Sequence, residues 1–182
     1  LDSVNTDETM ILFDKNAKSA FDRNEDARYL AGGGKVSLSS LSKDSVAIAI
    51  NHLPLKSGQP VPLNVNSSVS GTFMLSLEDL RGIPKMYDIW LKDNFAGDSV
   101  NLRITNTHSF TIDRSNPATF GKNRFAIIVK QDTAYAYKLL SFNAARVGNS
   151  SHVETHWTTA NEENYTNFTV ERSTDGANTF QV

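Results

Sequence analysis

Cysteine is absent from the 182 residues. That removes disulfides, thiolate nucleophiles and cysteine-based zinc sites together. A secreted eukaryotic domain commonly relies on disulfides, so their absence points toward a bacterial or an intracellular source. No apolar run approaches the roughly 20 residues that a membrane-spanning helix requires, and membrane insertion is not expected. Excess positive charge is missing too. The net charge is -2, with Lys and Arg scattered along the chain, so the electrostatic footprint of a nucleic-acid binder is not there. The chain opens Leu1-Asp2-Ser3 without an initiator Met, a charged leader or an apolar leader segment, the pattern of a piece excised from a longer polypeptide. Long helical patterns are also lacking. Asn16–Asp22 and Leu77–Arg81 could each hold one helical turn, and Gly82 and Pro84 prevent the second from extending.

What the chain does have is alternation. Its 39% hydrophobic and 21% charged residues are ordinary globular proportions, and a chain of this length can bury a core without staples. Val46, Ile48 and Ile50 alternate with Ala47 and Ala49. Val61, Leu63 and Val65 form a second series, Phe73, Leu75 and Leu77 a third, and Tyr87, Ile89 and Leu91 a fourth. Met10–Phe13, Val36–Leu41, Val100–Ile104, Phe110–Ile112, Arg124–Val129 and Ala134–Leu140 are further extended candidates. Period two places one set of side chains on a buried face and the other toward solvent. Turn signals separate the runs: Gly32-Gly33-Gly34, Lys56-Ser57-Gly58-Gln59-Pro60, Ala96-Gly97-Asp98 and Asn116-Pro117. The pattern predicts an all-β chain, an antiparallel β-sandwich of jelly-roll type.

Composition shifts near Asn143–Ser151, where Ala144 to Ser151 is small and polar, like a linker or turn. The expected division is a sandwich over residues 1–142 followed by a linker and a fibronectin- or Ig-like piece over 143–182. In that piece His152–Thr158 and Asn167–Arg172 read as strands around the polar loop Ala160–Asn164. Asp175-Gly176 marks a hairpin turn, and Thr179–Val182 begins a third strand. Three strands do not close a sandwich, so this unit is expected to be truncated or to dock its strands on the first domain.

Few residues suggest chemistry. Asp22, Asn24 and Asp26 place oxygen ligands at alternate positions, as calcium loops do, but the turn glycine and terminal bidentate Glu of such loops are missing. A solvated loop whose carboxylates accept backbone N–H bonds is the plainer reading. Calcium is the single cofactor the sequence raises. His152 and His156 are four apart, a helical metal spacing, yet in a strand four residues span about 13 Å, too far for one ion. Ser39-Ser40 and Ser67-Ser68 have no neighbouring base and no nucleophile elbow surrounds them. Glu162-Glu163 falls in a polar loop. Gly32-Gly33-Gly34 precedes a strand, so no helix dipole is available to hold an anion. Trp90 falls on the strand face opposite Tyr87, Ile89 and Leu91. With Tyr87 and Phe95 it forms the candidate set for a sugar-binding aromatic platform; the alternative is that Trp90 is packed beneath a covering loop or sheet.

Two stretches resemble known modules. Glu8-Thr9-Met10-Ile11-Leu12-Phe13, Ala17 to Phe21-Asp22, Asp26-Ala27 to Tyr29-Leu30, Tyr87-Asp88-Ile89-Trp90-Leu91-Lys92-Asp93, Ser109-Phe110-Thr111-Ile112 and Asn123-Arg124-Phe125-Ala126-Ile127-Ile128 occur in that order. From Asp7 to about Lys130 the chain resembles the β-sandwich module common near the C-termini of large secreted or surface proteins of Bacteroidetes, many of them carried by type IX secretion. Glu154 to Asn164 and Phe168 to Gly176 resemble the opening of the fibronectin-like domain that follows such modules, with Trp157 as its core tryptophan. The later strands of that domain, and the sorting domain beyond, are not in the sequence. The resemblance implies a secreted or outer-surface location and a stalk, spacer or adhesion role without catalysis, with surface glycans or other surface proteins as partners. It carries no catalytic residues. The rival expectations are a carbohydrate-binding module using the three aromatics and an enzyme with a spatially assembled site.

Overall fold

The computed structural model describes residues 5–132, 138–160 and 168–181. The chain forms two compact units, Leu1–Asp132 and Thr133–Val182.

The first unit is built largely as the alternation dictates, except that of the expected series Val46, Ile48 and Ile50 only Ile48 is fully buried, while Ile50 is exposed and Asn51 is buried instead. Its strands are β1 (Met10–Phe13), β2 (Ala27–Arg28), β3 (Val36–Leu41), β4 (Ala47–Leu53), β5 (Pro60–Ser67), β6 (Gly71–Ser76), β7 (Tyr87–Asp93), β8 (Asp98–Asn101), β9 (Thr107–Ile112) and β10 (Gly121–Gln131). A large sheet runs in the order β1-β4-β3-β5-β10-β7-β8, with β2 also pairing to β4, and β6 and β9 form a separate two-stranded sheet. Pairing is antiparallel except between β1 and β4. The all-β, sandwich-like fold expected from the sequence is therefore present, with one broad layer and one narrow one.

Burial follows the register. Leu63 and Val65 of β5, Ile89 and Leu91 of β7 and Phe125 and Val129 of β10 share one face and one core cluster. Phe110 and Ile112 of β9 enter that cluster from the small sheet, with Phe73 and Leu75 of β6 packed beside them. Phe110 meets Phe125 edge-on at 4.8 Å between ring centroids, which ties the two layers together. Leu77, Leu80 and Ile83 of the β6–β7 connection also pack against the cluster. Burial of apolar side chains such as these, about 1.5–3 kcal/mol each when complete, drives the assembly.

The first strand is held by polar groups as well. The Thr9 hydroxyl donates to the Ile48 carbonyl at 3.1 Å and accepts from the Ser40 amide at 3.1 Å, joining β3 to β4 at the entry to β1. Asp7 accepts from the Tyr29 hydroxyl at 2.6 Å and from the Leu38 amide at 2.8 Å. Burial, then the bond to Asp7, pushes the Tyr29 phenol up to about 12.

Several expectations need correction. Neither 16–22 nor 77–81 is helical; turns occupy the first, anchored by Ala17 N–H to Asp14 C=O, and open chain the second. The helical element with a defined span is the short 3-10 turn Pro117–Thr119. Strand β8 ends at Asn101, because Ile104 and Thr105 donate back to Asn101 and close a turn. No helix among the described residues is long and apolar enough to cross a membrane.

The boundary between units also lies earlier than 142/143. β11 (Lys138–Arg146) pairs with β12 (Val153–Ala160), setting Phe142 opposite Trp157, so residues 138–142 belong to the second unit. The expected linker is the end of β11 and its hairpin turn, closed by Val147 N–H to His152 C=O at 3.0 Å. Ala134–Tyr137 of the expected strand lie outside the described residues, as do Asn167 and Val182. Residues 168–171 form no strand. Arg172 and Gln181 make an isolated antiparallel bridge around a loop in which Asp175 accepts from Thr179, Asn178 and Ser173, bonds that hold its carboxyl below the usual range. On the hairpin, Leu139, Phe142, Val153 and Trp157 share one face by register, and all four are exposed.

Phe125 is 1% exposed at the junction of the layers. Phe125→Ala is expected to cost about 3–5 kcal/mol of unfolding free energy. Met74→Ala, on the solvent side of β6, should change it by less than about 0.5 kcal/mol. Urea unfolding followed by circular dichroism measures both.

Candidate functional site

Charged side chains from three strands of the first unit converge in its interior. Asp93 closes β7 on the inward register of Tyr87, Ile89 and Leu91, so an acid arrives where a hydrophobe is expected. Arg124 reaches it from β10. Its Nε lies 3.0 Å from Asp93 Oδ1 and its Nη2 2.9 Å from Oδ2. Its Nη1 donates to the carbonyls of Thr111 and Thr119, which tie in β9 and the 3-10 turn. The guanidinium is also flanked by the rings of Phe125, Phe110 and Phe95, at 4.7, 4.9 and 5.1 Å from their centroids.

Asp93 has further duties. Its Oδ1 accepts from the amides of Phe95 and Ala96, capping the turn into β8. That turn ends at Gly97, whose φ of 70° is left-handed and whose amide donates to the Asp93 carbonyl. His108 Nε2 stands 3.4 Å from Asp93 Oδ2, its ring stacked on Phe110 and edge-on to Phe125. Burial pushes the Asp93 carboxyl upward. The Arg124 bonds, the Ala96 amide and His108 outweigh it and hold the group below the usual carboxylate range. Both oxygens are thus committed to holding strands together, and among the described residues no serine is hydrogen-bonded to Asp93 or to the His108 ring.

The residues singled out by sequence do not converge. Tyr87 points into the core and packs on the central cluster. Trp90 lies on the opposite face, opposite Ile128 on one side and Asn101 on the other, and is partly exposed. Phe95 sits in the turn over Arg124. The three aromatics therefore form no common platform, because the pleat separates Tyr87 from Trp90 and the chain turns before Phe95.

At the calcium candidate, the carboxylate oxygens carry local bonds. Asp22 accepts from Lys18 Nζ at 2.7 Å and from the Asn24 amide at 3.0 Å. The Lys18 bond is the chief cause that lowers the Asp22 pKa. Asp26 accepts from the amides of Asp22 and His52, both at 2.8 Å. The arrangement is a loop stitched to β4, and among the described residues no group of three His, Cys, Asp or Glu is placed to hold a metal ion.

His152 precedes β12 and His156 lies within it, so extended chain separates them; His156 pairs with Glu154 at 3.3 Å on the surface. Ser40 Oγ donates to the Ile48 carbonyl and accepts from Asn51 Nδ2. Ser39 Oγ is buried without a hydrogen-bond partner among the described residues. Ser67 Oγ accepts from the Val69 amide, and the Ser68 amide donates to Lys35. Gly32-Gly33-Gly34 leads into β3 without a helix. Glu162-Glu163 lies outside the described residues.

No protein-family profile, curated protein or solved structure matches the chain.

Removing either half of a buried ion pair leaves the other charged and desolvated. Asp93→Asn and Arg124→Met are each expected to cost about 3–5 kcal/mol, and the double variant Asp93→Leu/Arg124→Met less than the sum. The Asp93 carboxyl is lowered in the folded state, so its contribution is full above an unfolded carboxyl value of about 3.9. It is lost as pH falls through the folded-state value. Urea unfolding at a series of acid pH values should show a shallower acid loss in Asp93→Asn than in the wild type.

Proposed function

We propose that the chain is a non-catalytic structural or adhesion module of a larger exported bacterial protein, acting as a stalk or spacer on the outer cell surface or after secretion. The observation that carries this reading is the use made of the convergent charges. Asp93, Arg124 and His108 meet from three strands, and their hydrogen-bonding capacity is turned inward onto turns, carbonyls and one another. Asp22 and Asp26 likewise bind their own loop and β4. A fold that spends its charged groups in this way gains a fixed strand arrangement. Two layers of strands packed face to face make a stiff unit that folds without a ligand, and its turns and outer sheet face remain for contact. The ordered series of motifs from Glu8 to Ile128 supports the same context, since modules of that resemblance occur in exported surface proteins.

The test is location. Antibodies raised against the chain are expected to label intact, unpermeabilised cells of the source organism, or to detect the protein in the spent medium. Protease shaving of intact cells should remove the surface signal. Signal found solely after the cells are broken open would overturn the reading.

A further inference from the structure

We propose that the outer face of the large sheet around Trp90 binds an acidic glycan, a short oligosaccharide whose sugar rings carry carboxylates. The proposal gives the adhesion role a ligand class and rests on that reading. Trp90 is a large aromatic that the core does not use: the buried cluster and the side chains packed on it contain Tyr87, Ile89 and Leu91 from the same strand but not Trp90. Register places it midway along β7, one strand in from the sheet edge, opposite Ile128 on β10 and Asn101 on β8. It is partly exposed there. An indole on a rigid sheet offers a flat apolar surface for the C–H face of a pyranose ring, at little cost in lost side-chain freedom.

The polar groups around it have the complementary chemistry. Asp88 and Lys92 stand two residues to either side of Trp90 on β7, hence on the same face, and Lys130 of β10 lies opposite Asp88. Asn101 Nδ2 donates to Asp88 Oδ1 at 2.9 Å, which fixes an amide and a carboxylate beside the indole. Lys92 and Lys130 are exposed and form no ion pair among the described residues. Neither ammonium group has a carboxylate partner among the described residues, so both can meet an anion although the chain as a whole is at -2. The two lysines flank the Trp90 row four register positions apart, about 13 Å along the strand direction. That span suits a chain of several sugars with anionic substituents at its ends and a ring over Trp90. A neutral glycan would leave both ammonium groups unused.

The experiment uses the full chain, an oligouronate hexasaccharide and a neutral glucan hexasaccharide of equal length, with binding followed by calorimetry and by the indole N–H resonances. The chain has two tryptophans, Trp90 and Trp157, so each resonance is assigned through Trp90→Phe and Trp157→Phe. Saturable uronate binding is expected, with the Trp90 resonance shifting and that of Trp157 unmoved. Trp90→Ala should weaken binding at least tenfold, and Trp90→Phe less. Lys92→Gln/Lys130→Gln should weaken it at least fivefold and flatten its salt dependence. Circular dichroism checks that each variant is folded, and the lysine pair, being exposed, provides the test should Trp90→Ala fail to fold. Absence of uronate binding, equal binding of the neutral glucan, or full affinity in the lysine double variant overturns the proposal. Surface labelling together with absent uronate binding would remove the glycan site and leave the structural role standing. Labelling confined to broken cells would remove the role itself.

Discussion

The pairing of Arg124 with Asp93 constrains everything around it. Both side chains are almost wholly buried, at 4% and 1% exposure, where transferring an ion from water costs several kcal/mol. Such a pair persists because its geometry is saturated. Arg124 spends Nε and Nη2 on the carboxylate and Nη1 on two carbonyls. Asp93 spends its remaining capacity on two turn amides and His108. A hydrophobic replacement could hold the layers equally well in energy but would tolerate sliding. The ion pair joins the end of β7, the start of β10, His108 and Thr111 of β9 and the 3-10 turn in one arrangement.

Half of this device was legible in the sequence. Asp93 is in phase with Tyr87, Ile89 and Leu91, so the period that places those three inside also places the acid inside. An acid on a buried phase demands a partner, which local spacing does not name. Arg124 gives no comparable signal. It adjoins Phe125, which alternation assigns to the core, so Arg124 is assigned to solvent. The register shift between Gly121 and Phe125 breaks the alternation, and Arg124, Phe125 and Ala126 are buried in succession. A β-bulge re-aims a side chain through backbone geometry, which no count of hydrophobic spacing contains. His108 reaches the same place through the pairing of β6 with β9, a long-range choice invisible to local pattern.

The same contrast runs through the rest of the chain. The strands with clean alternation, β5, β6 and β7, are readable to within a few residues, and Trp90 lies on the expected face opposite Tyr87, whereas β4 keeps its span but exposes Ile50 and buries Asn51. β2 is two residues long and has no period to detect. β11 was missed as a strand beyond Leu140 because its register shift between Leu139 and Ser141 disrupts the pattern, and because Asn143 to Arg146 has the small, polar composition of a linker. Cross-strand pairing, above all Phe142 against Trp157, overrode that local signal. The calcium-like spacing of Asp22, Asn24 and Asp26 misled for a related reason. Acidic side chains at alternate positions serve a cation or backbone amides equally well, and only the fold decides which lies within reach.

Where the polar groups are spent also determines where recognition can occur. A carboxylate that already accepts from a guanidinium, an imidazole and two amides has nothing to offer an incoming molecule, and moving Arg124 to free it would expose an unpaired charge to a low-dielectric core. The Asp93 carboxylate is therefore held by the same interactions that stabilise the sandwich. The outer face of the large sheet is different. Its backbone is fixed by strand pairing on both sides of β7 and β10, yet Lys92 and Lys130 there carry no competing ion pair among the described residues. Side chains held on a rigid frame without internal obligations can meet a partner at low reorganisation cost. Strand pairing supplies that frame, and the Asp93–Arg124 pair on the inward face joins the same two strands, β7 and β10.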